Sequence, residues 1–509
     1  MKRWLISLAA VALVGCGGMN EQQPTVAPQL ASWSESKELV VLVQNGPTSL
    51  YIDAEGNYAG LEYDLVTRFA QSNGLKVRFV VESSYSNLMR RLQRHEAHLA
   101  VGVHADEHVA SVSFGPSYQS VSPVLVYRSS LTESAALAKL YSGEASLRTL
   151  PQYVAALNQQ QKSHPALKWQ VDEDTDSEGL MQAVASGQLD YALVDSHAAD
   201  VAQNYFPQVA ATDGISDPQA LAWAMTNGDT QLQGLVKQFF GTITADGTLN
   251  RYMDRYYGHV NRLDQLDAQA FLSRRSSVLP EFKHWFQQAQ DKTGIDWRLV
   301  AALAYQESHW DPTAVSPYGV RGLMMLTTQT AQRMGVDRLD PKQSIMGGAR
   351  YISTMRDSIA ATIAEPDRTW LALAAYNVGL GHLEDARELA RKLKKNPDSW
   401  ADVKTTLPLL RNPKYFSQTR YGYARGGEPV IFVESLRTYY DILARFEPST
   451  ALAADTSPAL SSDIEVRNPK NLRLGINNQL QPAKADKAGK APLARVASTA
   501  AKLQVAMAH

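Results

Sequence analysis

The chain is 509 residues long, 44% apolar and 20% charged, with a formal net charge of −1 at neutral pH. Such a length and apolar share call for two or more domains with sizeable cores, and the balanced charge leaves no footprint for nucleic acid as a partner. The 11 histidines are scattered, without a ligand-spaced cluster of Cys or carboxylate around them, so neither a metal nor a cofactor is expected.

Lys2 and Arg3 open the chain, and an apolar run over 4–14 follows, too short to span a bilayer and built like a secretory signal. The run leads to Cys16, the single cysteine of the chain. A lone cysteine there is either a small buried hydrophobe or a lipid attachment point. Its place behind Leu13-Val14-Gly15, which resembles a bacterial lipobox, favours the second. Residues 1–16 then read as a lipoprotein-type signal with the mature start at Cys16. Gly17 in place of an Asp argues for the periplasmic face of the outer membrane, reached by a lipid anchor. No later segment reaches the ~18 apolar residues of a spanning helix. Residues 17–37, polar with Gln and Pro, read as a flexible tether.

From residue 38 the pattern changes to short apolar strands alternating with helical stretches. Strands are expected over 39–43, 76–81, 98–103, 190–195 and 221–225, and helices over 61–70, 87–94 and 231–258. This rhythm implies an α/β unit with a largely parallel sheet over 38–258. Residues 259–279 read as a linker.

The next unit, over 280–450, is mainly helical. Asp296 is a plausible N-cap for a helix that Pro312 cannot continue. Val300, Leu303 and Ala304 precede Glu307 by seven, four and three residues, so the four side chains share one face. A carboxyl on an apolar face, near the negative end of the helix dipole, holds its proton longer than usual. That suits a general acid for breaking an acetal, although a Glu satisfied by a buried Arg or a backbone amide would look the same. Residues 451–509 are rich in Ala, Pro, Ser and Lys and read as a disordered, slightly basic tail.

The blocks around Glu307 resemble a known family. Glu307-Ser308, the stretch Pro312-Thr313-Ala314-Val315-Ser316-Pro317-Tyr318-Gly319 and Gly322-Leu323-Met324-Met325-Leu326 are similar to the signature of soluble lytic transglycosylases, whose fold is goose-type lysozyme-like. Gly347-Gly348-Ala349-Arg350-Tyr351 and Ala374-Ala375-Tyr376-Asn377 resemble the later blocks. The resemblance implies a lyase of peptidoglycan glycan strands with Glu307 as acid and then base. The bond cut joins N-acetylmuramic acid to N-acetylglucosamine, and a 1,6-anhydro sugar forms. It further implies substrate-binding roles for six residues, each with an ordinary alternative. Ser316 faces the sugar or shapes a turn. Gly322 lets backbone approach a ligand or serves a loop, and Met324 walls the cleft or packs the core. Tyr376 and Asn377 meet N-acetyl groups or, for Asn377, cap a helix. Glu428 supports the site or sits in a salt bridge.

The region over 38–258 resembles periplasmic solute-binding proteins of the polar amino-acid type, through Gly60-Leu61-Glu62-Tyr63-Asp64-Leu65, Phe114-Gly115-Pro116-Ser117-Tyr118 and Gly247-Thr248-Leu249. His108 stands where that family places the Arg that grips a ligand's α-carboxylate, so free amino acids are poor ligands. A muropeptide or stem peptide, bound by a sensor that modulates the enzyme, is one expectation for this unit; a plain spacer is the other. Two rivals to the lyase are a water-using muramidase on the same fold and a receptor that only grips glycan.

Overall fold

The computed structural model describes residues 30–447, apart from positions 47, 54–55, 83, 106–108, 110 and 174, together with 464–466. The signal, Cys16 and most of the tail therefore lie outside the described residues, as does His108. Residues 464–466, within the expected tail, pair in parallel with the Lys76–Glu82 strand.

Val- and Leu-rich runs form the centre of the first lobe. The Glu38–Gln44 strand is buried along its middle five residues and pairs in parallel with Lys76–Glu82 on one side and Leu99–His104 on the other. Helices Leu61–Ser72 and Tyr85–Gln93 return the chain between them, which gives the right conditions for a doubly wound sheet. The chain then builds a second lobe, whose strands run in the order Trp169–Val171, Leu147–Thr149, Tyr191–Asp195, Pro123–Arg128, Val209–Ala211. It re-enters the first lobe as Gln219–Thr226, antiparallel to Leu99–His104. The sheets are thus mixed rather than largely parallel, because a strand that returns from the far lobe enters from the opposite end.

Three expected boundaries shift. The tether is shorter than 17–37: Trp33, in a helical turn over Trp33–Ser36, is buried and donates its indole N–H to Asp229 at 2.7 Å. The helix expected over 231–258 is two, Thr230–Ala245 and Thr248–Tyr257, broken where Gly247 takes a φ of 75°. The expected linker over 259–279 contains the helix Gln265–Ser277, whose Phe271 is fully buried against Tyr305, Trp310 and Tyr439.

The second unit is helical. A helix buried along most of its length, Trp297–Ser308, packs with Leu279–Thr293, Pro341–Asp357 and Gly427–Phe446, and Asp367–Val378 completes the same core. Gly427–Phe446 also docks the α/β unit. Its Arg437 reaches Glu434 at 2.8 Å and Asp254 at 3.4 Å, and its Arg445 pairs with Glu178 of the second lobe. Among the described residues no helix is long and apolar enough to cross a membrane.

Candidate active site

Asp296 caps the Trp297–Ser308 helix, accepting the Arg298 amide at 2.8 Å, and its carboxylate also holds the Arg298 guanidinium at 2.6 Å. The other end stops abruptly. His309 and Trp310 both take left-handed backbone, with φ of 54° and 59°. The chain folds back so that the Trp310 indole donates to the Ala301 carbonyl at 2.7 Å. Arg274 donates to the His309 carbonyl at 2.8 Å and braces the same turn. Two consecutive residues in this region store strain that the buried Trp310 ring offsets.

Glu307 sits in the last turn of this helix, partly buried. Burial pushes its carboxyl up to about 8, and desolvation is the sole cause; no neighbouring charge contributes. The group is therefore protonated at neutral pH. It also lies close enough to raise the Tyr376 hydroxyl, which burial already lifts far above its ordinary value.

The segment after the helix is held in a fixed form. Ser308, next to the acid, donates to the Leu323 carbonyl at 2.7 Å. The Met324 amide donates to the Ser344 hydroxyl at 3.2 Å, and Tyr376 donates to the Met324 carbonyl at 3.2 Å. Tyr376 stacks on Phe432, with centroids 6.4 Å apart and planes 8° from parallel. Tyr376 thus stands beside Glu307, while Asn377 is exposed at the end of the same helix. Ser316 accepts the Val320 amide at 3.0 Å within a small hairpin closed by the Val315–Arg321 bridge. Asp311, just upstream, accepts from the Thr313 amide and hydroxyl and is a turn residue.

Two of the six residues have close partners within the protein. The Met324 side chain is fully buried and cannot wall a cleft; it fills the space above Gly348, where a Cβ would fall 2.3 Å from its methyl. Gly322, with φ 97°, is needed for a close approach, but the partner is protein: a Cβ would lie 2.1 Å from the Arg338 carbonyl. Glu428 is half exposed and pairs with Arg425 at 3.4 Å. Arg425 also bonds Tyr318 at the hairpin tip, so hairpin and helix start are linked across the site. Sequence reasoning missed this link and the two serine struts. Ser308 had a signal, standing beside the acid; Ser344 and Arg425 had none.

The cleft between the lobes of the α/β unit has a volume of about 90 Å³ and is lined by Glu62, His104, Gln119, Asp195 and His197, among others. Among the described lining residues there is no Arg or Lys. Glu62 is buried, and desolvation raises it to about 7 against the lowering effect of bonds from Tyr118 and Trp223.

A two-lobed binding unit fused to a helical cradle that shields one protonated carboxyl defines a two-domain protein with a solute-binding half and a lysozyme-like half. The bacterial extracellular solute-binding proteins, family 3, model matches residues 39–259, and the transglycosylase SLT domain model matches residues 284–399. "Membrane-bound lytic murein transglycosylase F" of Methylobacillus flagellatus is 44% identical over 88% of this chain and 95% of its own. The protein of that name from Nitrosospira multiformis is 42% identical over 87% of this chain and 93% of its own. The chain belongs to the membrane-bound lytic murein transglycosylase F family. Among solved structures, a mutant arginine-binding protein from T. maritima overlays 44% of this chain and 97% of its own at 17% identity and a TM-score of 0.40, a likeness too loose to carry a ligand across.

Proposed function

We propose that this protein is a peptidoglycan lytic transglycosylase that cuts between N-acetylmuramic acid and N-acetylglucosamine with Glu307 as its catalytic residue. The protonated carboxyl gives its proton to the glycosidic oxygen as the bond to the muramoyl C1 breaks. The resulting carboxylate takes the proton of the C6 hydroxyl on the same sugar. That oxygen attacks C1 and closes a 1,6-anhydro ring, so Glu307 ends as it began and no water is consumed.

One observation carries this reading. A glycosidase that uses water needs a second carboxylate flanking the bond, as base or nucleophile. Here Glu307 lies on a shielded helix where burial raises its carboxyl to about 8, which supports one group serving first as acid and then as base. An internal hydroxyl fills the role that partner would play. Ser316, Tyr376, Asn377 and Glu428 are proposed to hold the sugars around it, with Tyr376 and Asn377 facing N-acetyl groups. Glu307→Gln should lower turnover of purified sacculi by about a thousandfold or more while leaving glycan binding largely intact. Equal turnover in both forms, or none in either, removes the assignment; the second outcome favours a receptor.

The names of the relatives call them membrane-bound, and an acyl anchor on Cys16 at the periplasmic face of the outer membrane is the proposed attachment. The α/β unit is proposed to take a muropeptide or stem peptide and to modulate the enzyme. One feature supports modulation: Gly427–Phe446, whose Phe432 stacks on Tyr376, docks on this unit through Arg445 and Glu178.

A further inference from the structure

The segment between the turn Leu407–Arg411 and the Gly427–Phe446 helix carries Tyr421, which is 52% exposed and yet fixed from several sides. The amides of Arg420 and Tyr421 donate to the two carboxylate oxygens of Asp385 at 3.0 and 2.8 Å, and Asp385 itself is 5% exposed. The ring lies against bare backbone at Gly381, where a Cβ would sit 2.9 Å from its Cγ, Cδ1 and Cε1 atoms. The His382 ring meets it edge-on at 6.2 Å, and the Arg420 guanidinium is 5.4 Å from its centroid.

A surface tyrosine with no task samples several rotamers. This one is clamped by a buried carboxylate and a glycine, which removes in advance the ordering that a ligand would otherwise impose. A rigid aromatic face suits the C–H face of a pyranose, and the phenol adds a polar edge. Through Gly381 it adjoins the end of the helix that carries Tyr376. Gly381 lies two residues past Gly379, which ends the Asp367–Val378 helix that carries Tyr376 and the exposed Asn377. On the far side, Tyr421 borders a surface groove of about 490 Å³ lined by Glu384, Glu388, Arg391, Tyr415 and Arg420.

We propose that Tyr421 is a sugar-stacking residue of an outer subsite, holding a pyranose of the same glycan strand beyond the bond that Glu307 cleaves. The inference rests on the glycan-cleaving function proposed above.

The test compares the full-length secreted form on defined peptidoglycan glycans of four and eight sugars and reads the ratio of kcat/KM, long over short. Tyr421→Ala should lower that ratio by about three- to tenfold, and Tyr421→Phe should keep it within about twofold of wild type. Tyr421→Leu, which retains apolar packing on Gly381 without a flat face, should behave like Ala and serves if the Ala form does not fold. Gly381→Ala, which displaces the ring without removing it, should also lower the ratio. An unchanged ratio in the Ala and Leu forms overturns the subsite, including the case where both lengths slow equally, as a structural role requires. A wild-type protein that cleaves neither length overturns the proposed function itself, and the subsite with it.

Discussion

On the proposed mechanism Glu307 serves as an acid only while its carboxyl is protonated, so kcat/KM should fall tenfold per unit as pH rises through about 8, which a pH–rate profile on soluble glycan would read. A limb near the ordinary carboxyl value would contradict the desolvated site. Stability carries the same signature with a definite sign. Between about 4.5 and 8 the folded carboxyl keeps a proton that the unfolded chain releases, so wild-type stability drops across that window. Glu307→Gln has no such proton. It should therefore gain on wild type from pH 5 to 8, by on the order of 2 kcal/mol at the top, in thermal melts. This residue was legible in sequence because the spacing to Val300, Leu303 and Ala304 placed it on a buried face. Met324 was not: an apolar residue in a Gly-rich segment fits a cleft wall or a core equally well. Its contact with Gly348, 24 residues away, decides between them.

The Gly427–Phe446 helix belongs to both halves of the protein. Near its start Phe432 stacks on Tyr376 beside the acid, and further along it buries Glu434 and Arg437 against the α/β unit. Burial alone would raise the Glu434 carboxyl, but Arg437 and Lys404, with a bond from Trp400, outweigh it and hold the group below its usual value. Its stabilisation is therefore present above about pH 4.5 and lost as pH falls through the lower folded value. Arg437→Met leaves Glu434 with Lys404 and Trp400 alone and should destabilise by ~3 kcal/mol in urea unfolding at pH 7. The loss should shrink on acidification, as Glu434 takes up a proton. An equal loss at pH 7 and pH 3 would contradict the pairing. The sequence marked only Glu428 at the start of this helix, and its partners were not readable there. Asp254 lies some 180 residues before Arg437, and local pattern holds no information about pairs so remote. The same blindness produced the misplaced linker: Gln265–Ser277 looks polar and loop-like until Phe271 finds Tyr305 and Tyr439.

Across the whole molecule, the division into an α/β half and a helical half was visible in the change of period near residue 280, and both family models fall on the expected sides. How the halves touch was not visible. Glu178 of the second lobe pairs with Arg445, His259 meets Asp441 at 2.5 Å, and a cavity of about 420 Å³ lined by Tyr51, Asp64, Tyr205 and Trp370 separates the two. Glu178 also lines the cleft between the lobes, and its pair with Arg445 is the contact through which the proposed ligand would act on the docked helix. Titration calorimetry of the full-length secreted form should give heat with stem peptides and none with free amino acids, and Arg445→Ala should weaken any effect of such a peptide on turnover. No heat with any muropeptide would leave the α/β half as a spacer. The central claim concerns the helical half of the molecule and a single proton passed within one sugar. It is tested most directly by mass spectrometry of the fragments released from purified sacculi. The account requires muramoyl ends lighter by one water than hydrolysed ends; fragments carrying the full mass of a reducing end would contradict it.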